Sequence, residues 1–127
     1  MTLSGVAKKL SVYIGEADQY DGRPLYEMLV EQARIAGCAG ATVLRGVEGF
    51  GATSREHAKH GMRISVDLPL MVHVIDTPDK ITALAEVYGA MIGCGLITVE
   101  DVNVLVYCGD KDEAASHKAL ERGADEP

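Results

Sequence analysis

The chain has 127 residues, of which 47% are hydrophobic and 24% are charged, a composition typical of one compact domain rather than of a disordered protein. Its formal net charge of −7 argues against a nucleic-acid-binding protein, because neutralising phosphates requires a concentrated basic surface. No apolar run approaches the roughly 18 residues that a transmembrane helix needs, so we expect a soluble protein.

The first residues, MTLSGVAKK, lack the basic start, apolar stretch and cleavage site of a secretory signal, so we expect a cytoplasmic protein. Cys38, Cys94 and Cys108 are odd in number and widely spaced. That pattern favours reduced thiols over a disulfide framework or a metal knuckle, and we expect buried small hydrophobic residues.

The first half of the chain predicts a strand, a helix and a second strand. In KKLSVYIG, Leu10, Val12 and Ile14 alternate with other residues, the period of a half-buried strand. After the polar loop EADQYDGR, Pro24 suits the first turn of a helix, and Gly37 ends it. The apolar face of this helix is predicted on Leu25, Met28, Leu29, Ala33 and Ala36. The segment ATVLRGV then predicts the second strand.

The second half predicts a strand, a helix and a final strand. The segment LPLMVHVI is almost continuously apolar, which indicates a strand covered on both faces. His73 is the exception, and a hydrogen-bonded core or interface histidine is favoured there. Thr77 and Pro78 suit the N-cap and first position of a second helix, which ends in GCG. The segment DVNVLVY, residues 101–107, predicts the last strand because its valines alternate with other residues.

This order of elements predicts a ferredoxin-like α+β fold, βαββαβ, with a four-stranded antiparallel sheet and both helices on one face. We assign residues 1–108 to this domain and residues 109–127 to a polar C-terminal tail that adds little to the core. The face away from the helices is expected to be apolar, and association is the natural way to bury it. Its predicted residues are Tyr13, Leu44, Met71, Ile75, Leu105 and Tyr107.

The connection between the second and third strands, RGVEGFGATSREHAKHGMR, is long and basic. It holds four basic and two acidic side chains, so its net charge is +2. Since the whole chain has a net charge of −7, the remainder of the chain carries −9. Its glycines permit positive φ and close backbone approach, a way to present N–H groups to an anion. Phe50 lies among them, either fixing the loop or offering a flat face to a ring. The alternative is a solvated connection without a specific role.

Three segments, YIGEADQYDGRPLYEMLVEQARIAGCAGATVLRGVEGFG, DLPLMVHVIDTPDKI and GLITVEDVNVLVY, resemble a family of small uncharacterised bacterial and archaeal proteins described as PII-like. The resemblance runs from about Leu10 to about Tyr107. It implies a ferredoxin-like subunit in a homotrimer akin to the nitrogen-regulatory PII proteins. In that superfamily the connection between the second and third strands, the T-loop, contacts partner proteins. Small ligands, often adenine nucleotides, bind near its base between subunits.

The resemblance therefore implies a non-enzymatic regulator in signal transduction that binds a small anionic effector, in the first place an adenine nucleotide. A flexible loop, about residues 48–62, would signal to a partner such as a membrane transporter or an enzyme. The predicted ligand-binding residues are Arg45, Gly46, Gly49, Phe50, Gly51 and Arg63, of which Arg45 or Arg63 would pair with phosphate. The predicted partner-facing residues are Ser54, Arg55, His57, Lys59 and His60.

Two further details follow from the resemblance. The family pattern includes IGE, so the resemblance implies that Glu16 borders the cleft between subunits. PII proteins hold phosphates with a glycine and lysine turn after the second helix. The corresponding GCGLITVED has no lysine, which argues against a triphosphate grip of that kind.

Two alternatives to the effector hypothesis remain open. His57 and His60 in HAKH are spaced to share a divalent metal if the segment is helical, but they lack a suitable third ligand. A trimeric protein of divalent-metal binding or tolerance is therefore one alternative. The other is an assembly module whose loop docks a protein without any small ligand.

No catalytic residue is predicted. Glu16, Asp18 and Asp21 could form a carboxylate pair, but no nucleophile, metal set or oxyanion donor accompanies them, so turn formation and helix capping are favoured. The sequence also lacks the phosphate-binding GxxxxGK[ST], the nucleophile elbow and HExxH.

Overall fold

A computed structural model of the chain describes residues 3–51 and 67–109. Its elements are β1 (Gly5–Gly15), β2 (Gln19–Tyr20), β3 (Arg23–Pro24), α1 (Leu25–Ile35), β4 (Thr42–Arg45), β5 (Pro69–Asp76), α2 (Pro78–Met91) and β6 (Leu96–Val104). No helix in this part of the chain is long and apolar enough to cross a membrane.

The main sheet has four antiparallel strands in the order β4-β5-β1-β6. Along β1 the buried Leu10, Val12 and Ile14 alternate with residues of the opposite face, such as the exposed Tyr13. Residues of both helices belong to the same cluster as those buried side chains, so both helices cover one face of the sheet. The predicted ferredoxin-like α+β fold is therefore confirmed.

The core lies between the sheet and the two helices. Its buried members are Leu10, Val12, Ile14, Leu25, Leu29, Ala33, Leu70, Val72, Val74, Ile81, Leu84 and Tyr88. Tyr88 brings a hydroxyl into this apolar layer and donates a hydrogen bond of 2.6 Å to the backbone carbonyl of Leu29. Burial raises the pKa of Tyr88 above its ordinary value, and Cys38 adds to the shift, so the phenol stays protonated and remains a donor. This bond ties α2 to α1.

The end of α1 depends on a glycine, as the sequence predicts. Gly37 has a φ of +76°, in the left-handed region. Its N–H donates to the carbonyl of Arg34, and the N–H of Cys38 donates to the carbonyl of Ala33, both at 3.0 Å. These two bonds form a Schellman motif, which stops the helix and satisfies two of its last carbonyls.

A buried carboxylate organises the start of α2. Pro78 opens this helix after Thr77, as predicted, but the Thr77 side chain makes no capping hydrogen bond. Instead, the buried Asp76 accepts hydrogen bonds of 2.7 Å from the N–H of Thr77 and from that of Ala39. Asp76 therefore joins the α1–β4 connection to the first turn of α2, and a buried carboxylate needs such donors to offset its desolvation.

The boundaries of the last strand and of β4 differ from those predicted. β6 covers Leu96–Val104 rather than residues 101–107, because it pairs along β1 with Val104 opposite Gly5. An ion pair of 2.7 Å between Lys8 and Asp101 lies within this register. β4 covers Thr42–Arg45 and is shorter than the predicted segment 41–47.

The predicted polar loop between β1 and α1 contains a small hairpin. β2 and β3 pair across Asp21 and Gly22, whose φ values are 54° and 77°. Positive φ at both central residues is characteristic of a type I′ turn, for which Asp-Gly is a favoured pair. The DG pair was the sequence signal for this hairpin. Pro24, predicted in the first helical turn, is the N-cap residue one position earlier.

The sheet face opposite the helices, which we call the open face, is partly apolar. Tyr13, Leu44 and Ile75 are exposed there, as predicted. Leu105 and Tyr107 follow the end of β6, so their predicted place on this face is wrong. Leu96, which pairs with Tyr13 and is exposed, takes their place.

His73 lies in the middle of the open face. It pairs with Ser11 of β1 on one side and with Thr42 of β4 on the other. Partial burial lowers the pKa of His73, Lys9 lowers it further, and Glu100 opposes the shift. A neutral imidazole is therefore favoured on this face at neutral pH.

Tyr88→Phe tests the link between the two helices. Removing the hydroxyl loses one hydrogen bond in the core, so we expect the free energy of unfolding to fall by about 0.5–1.5 kcal/mol. Tyr20→Phe, at an exposed tyrosine, is the matched control and should change it by less than about 0.5 kcal/mol. Chemical denaturation of the two variants measures the difference; equal stabilities would show that the Tyr88 bond contributes nothing.

Candidate functional site

The candidate site lies at one end of the sheet, where several strands begin or end. Gly15 at the end of β1 pairs with Pro69 at the start of β5, and Arg45 at the end of β4 pairs with Leu70. The connection from β4 to β5 therefore leaves and returns at this end. We call residues Gly15–Asp18, Arg45–Gly49 and Asp67–Pro69 the loop base.

The returning end of the connection is fastened to the end of β1. The N–H of Ala17 donates to Asp67 Oδ1 at 2.9 Å, and the N–H of Glu16 donates to the carbonyl of Leu68 at 2.9 Å. The Asp67 carboxylate lies against Gly15, where an added Cβ would be 2.5 Å from Oδ1 and 2.8 Å from Oδ2. A residue without a side chain at position 15 is therefore required for this contact.

The departing end of the connection wraps around the ring of Pro69. The N–H of Gly46 donates to the carbonyl of Pro69 at 2.7 Å. A Cβ on Gly46 would lie 2.8 Å from Pro69 Cγ, and one on Gly49 would lie 3.2 Å from it. Close packing thus explains both glycines. The N–H of Gly46 donates to Pro69, and the predicted place of Gly46 and Gly49 among the ligand-binding residues stays a prediction.

Arg45 reaches across a strand to an acidic residue. Its guanidinium forms an ion pair with the carboxylate of Glu16. Because β5 lies between β4 and β1, this pair spans the first residues of β5. The Arg45 side chain is 60% exposed and that of Glu16 is 26% exposed. One of the two arginines predicted to pair with phosphate is therefore at the loop base, with a carboxylate as its partner.

The other predicted residues of the connection divide into two groups. Phe50 and Gly51 are the last residues described before the gap, and the Phe50 side chain is exposed. Arg63 and the partner-facing Ser54, Arg55, His57, Lys59 and His60 lie outside the described residues. The roles predicted for both groups stay predictions.

A small cavity lies at the same end of the sheet, between the β1–α1 and α2–β6 connections. Its volume is about 190 Å³, and its lining residues are Asp18, Gln19, Leu25, Met91, Gly93 and Cys94. Asp18 Oδ2 accepts a hydrogen bond of 3.0 Å from the N–H of Gly15, so its carboxylate stabilises the turn, as predicted. A Cβ on Gly95 would lie 2.8 Å from the carbonyl oxygen of Tyr13, so this glycine lets the second connection approach β1.

The cysteines differ from the buried residues that the sequence predicts. Cys94 and Cys108 are exposed, and Cys38 is half-buried. Burial raises the pKa of Cys38, Asp76 raises it further, and Lys80 opposes both. The Cys38 thiol is therefore not activated for nucleophilic attack at neutral pH.

Metal-ligating side chains do not gather in the described part of the chain. Within residues 3–51 and 67–109, no three His, Cys, Asp or Glu side chains are placed to hold a metal ion. His57 and His60 lie outside these residues. The metal alternative therefore stays a prediction.

Sequence comparison shows which family the chain represents. The profile of DUF190, described as Uncharacterized ACR, COG1993, matches residues 7–104, which include most of β1 and all of β6. The chain belongs to this family. A UPF0166 protein of Aquifex aeolicus (strain VF5) is 39% identical over 100 residues, 77% of this chain and 92% of the relative. The UPF0166 protein MJ1524 of Methanocaldococcus jannaschii is 32% identical over 100 residues, covering 77% and 91%.

Solved structures with the same fold are PII-like proteins. A putative PII-like signaling protein from Thermus thermophilus superposes with a TM-score of 0.57 at 14% identity, covering 81% of this chain and 93% of that one. CPII from Thiomonas intermedia K12, bound to ADP, AMP and acetate, gives 0.53 at 20% identity, covering 82% and 92%. CPII bound to ADP, AMP and bicarbonate gives 0.52 at 18%, covering 80% and 96%. The predicted PII-like resemblance is thus confirmed at the level of family and fold.

Gly15→Ala tests the fastening of the loop base. The new methyl group would displace the Asp67 carboxylate and break its hydrogen bond with the N–H of Ala17, so we expect a loss of about 0.5–1.5 kcal/mol in the free energy of unfolding. Gly89→Ala is the matched control. Apart from its chain neighbours and the backbone of its own helix, nothing lies within 4 Å of its added Cβ, and in α2 the exchange should stabilise the protein by up to about 1 kcal/mol. Thermal melting of both variants distinguishes overlap from a general effect of adding a methyl group, and similar stabilities would contradict the contact.

Proposed function

We propose that the chain is a non-enzymatic, PII-like regulatory protein that binds a small anionic effector, in the first place an adenine nucleotide, between the subunits of a homotrimer. The observation that carries this proposal is the position of Arg45 at the loop base of a fold shared with CPII, which binds ADP and AMP. Identity to CPII is only 20%, so the ligand is inferred from the site's chemistry as well as from the fold.

The loop base offers complementary groups for such a ligand. A guanidinium binds phosphate through two parallel hydrogen bonds, and Arg45 holds its guanidinium at the surface. The ring of Phe50 is 72% exposed and lies five residues further along the chain, which suits stacking on a flat base. Gly51 follows it and permits close backbone approach, and Arg63 is proposed as a second phosphate partner.

Signalling is proposed to pass through the loop of about residues 48–62. Both ends of the connection are fastened to β1 and β5, so a ligand at the loop base acts close to both. Contacts to the ligand would favour one conformation of the loop, a switch of the order–disorder type. A partner such as a membrane transporter or an enzyme would then contact Ser54, Arg55, His57, Lys59 and His60.

The homotrimer is supported by the open face. Tyr13, Leu44, Ile75 and Leu96 expose apolar surface on this face of the isolated chain. Contiguous apolar surface of this kind is a feature of association sites. A closed assembly of identical chains buries it and brings neighbouring loop bases to the edges between subunits.

Arg45→Ala tests the effector site. Loss of a charge-assisted pair should weaken ADP binding about tenfold or more, measured by isothermal titration calorimetry with ADP, AMP and bicarbonate. Arg23→Ala is the matched control, because Arg23 is also an exposed arginine, 3.3 Å from the carboxylate of Glu31. It should leave the affinity unchanged.

Two results would contradict this proposal. Equal affinity in both variants would remove Arg45 from the site. No heat with any of the three ligands would favour the docking module, whereas metal-dependent thermal stabilisation that is lost in the double variant His57→Ala, His60→Ala would favour the metal alternative.

Ile75→Lys tests the homotrimer. A buried, unpaired ammonium group at a subunit contact is costly, so the variant should elute as a single chain of 13.5 kDa while the natural protein elutes at three times that mass. Val87→Lys is the matched control on α2, since Val87 is 41% exposed and Ile75 is 38% exposed. Size-exclusion chromatography with light scattering measures both masses. A trimeric Ile75→Lys variant would show that the open face is not the contact.

A further inference from the structure

The charges of the described loop base do not match those of the whole connection. Its acidic residues are Glu16, Asp18, Glu48 and Asp67, and Arg45 is its one basic residue, so these three segments carry a net charge of −3. An anion that reaches Arg45 therefore meets the carboxylate of Glu16, which is paired with Arg45, and the other carboxylates of the loop base lie on the same three segments. Attraction to Arg45 and repulsion by these carboxylates both grow with the charge of the ligand.

Glu16 is the carboxylate that contacts Arg45 directly, because the two side chains form an ion pair. Its backbone is held firmly: its own N–H donates to Leu68, the N–H of Gly15 to Asp18, and that of Ala17 to Asp67. The side chain thus leaves from a fixed point and is the less exposed partner of the pair. A tethered carboxylate of this kind competes with any free anion for the same guanidinium.

We propose that Glu16 is an internal counter-anion that limits the charge of the effector, so that the site takes a nucleoside monophosphate or diphosphate in preference to a triphosphate. This inference rests on the proposed function. Glu16 acts through Arg45, so it is a positioning residue that sets specificity. A ligand must displace Glu16 from Arg45, and the displaced carboxylate then repels each additional phosphate.

The expected size of the effect follows from the exposure of the ion pair. Arg45 is largely solvated, so removing its partner should raise ligand affinity only up to about fivefold for ADP. Glu16→Gln keeps the shape of the side chain and removes its charge. The gain should increase from AMP to ADP to ATP, because repulsion by Glu16 increases with each phosphate.

Calorimetry with AMP, ADP and ATP, each without divalent metal, tests this ordering in the natural protein, Glu16→Gln and Glu31→Gln. Glu31 is a matched control because it also pairs with an exposed arginine, and its exchange should change none of the affinities. A gain that increases with ligand charge only in Glu16→Gln supports the inference. An equal gain for the three nucleotides, or no gain, overturns it and leaves the proposed effector site standing.

A second measurement keeps the inference testable if no nucleotide binds, a result that would contradict the proposed function itself. The Nε–H signal of Arg45, assigned by its loss in Arg45→Lys, is followed by NMR during titration with inorganic pyrophosphate and with inorganic phosphate. In Glu16→Gln this signal should shift at lower anion concentration than in the natural protein, with the larger change for pyrophosphate. Identical titrations in both proteins would overturn the inference.

Discussion

The antiparallel pairing of β5 with its two neighbours is the constraint on which the candidate site depends. Pairing with β1 sets Pro69 opposite Gly15, and pairing with β4 sets Leu70 opposite Arg45. The two registers together bring Arg45 within reach of Glu16, although 29 positions separate them in sequence. A register shift of one residue between β4 and β5 would turn Arg45 to the opposite face of the sheet and separate the pair.

The two faces of the sheet differ in the side chains that they carry. The helix-covered face buries a continuous apolar layer that supplies most of the stabilising burial. The open face mixes apolar Leu44 and Ile75 with His73 and Ser11, a composition that suits contact with another polar-rimmed protein surface better than water alone. Core stability and the proposed subunit association would therefore depend on different residues of the same strands, so either could be changed without the other.

Local pattern predicted those elements whose signal lies within a few residues. The alternation of Leu10, Val12 and Ile14 and the stop at Gly37 are such signals, and both agree with the structure. β6 was misplaced because the valines of DVNVLVY alternate well by themselves, whereas its true start is set by pairing with β1. Likewise, Gly46 packs against Pro69, which lies 23 positions further along the chain, and local sequence gave no signal for this packing. Long-range contacts decided each of these cases.

The net charge of a sequence segment does not show the charge that surrounds a site in the folded protein. Counted along the chain, the connection from Arg45 to Arg63 is basic, yet its charged residues within the described part, Arg45 and Glu48, cancel each other. The fold then adds Glu16 and Asp18 from the end of β1 and Asp67 from the returning end. A ligand responds to the charges within about a Debye length of it, whatever their order in the sequence. Within the described loop base, where Arg45 is the one basic residue, the arginine is therefore better suited to recognising where a phosphate sits than to attracting negative charge in bulk.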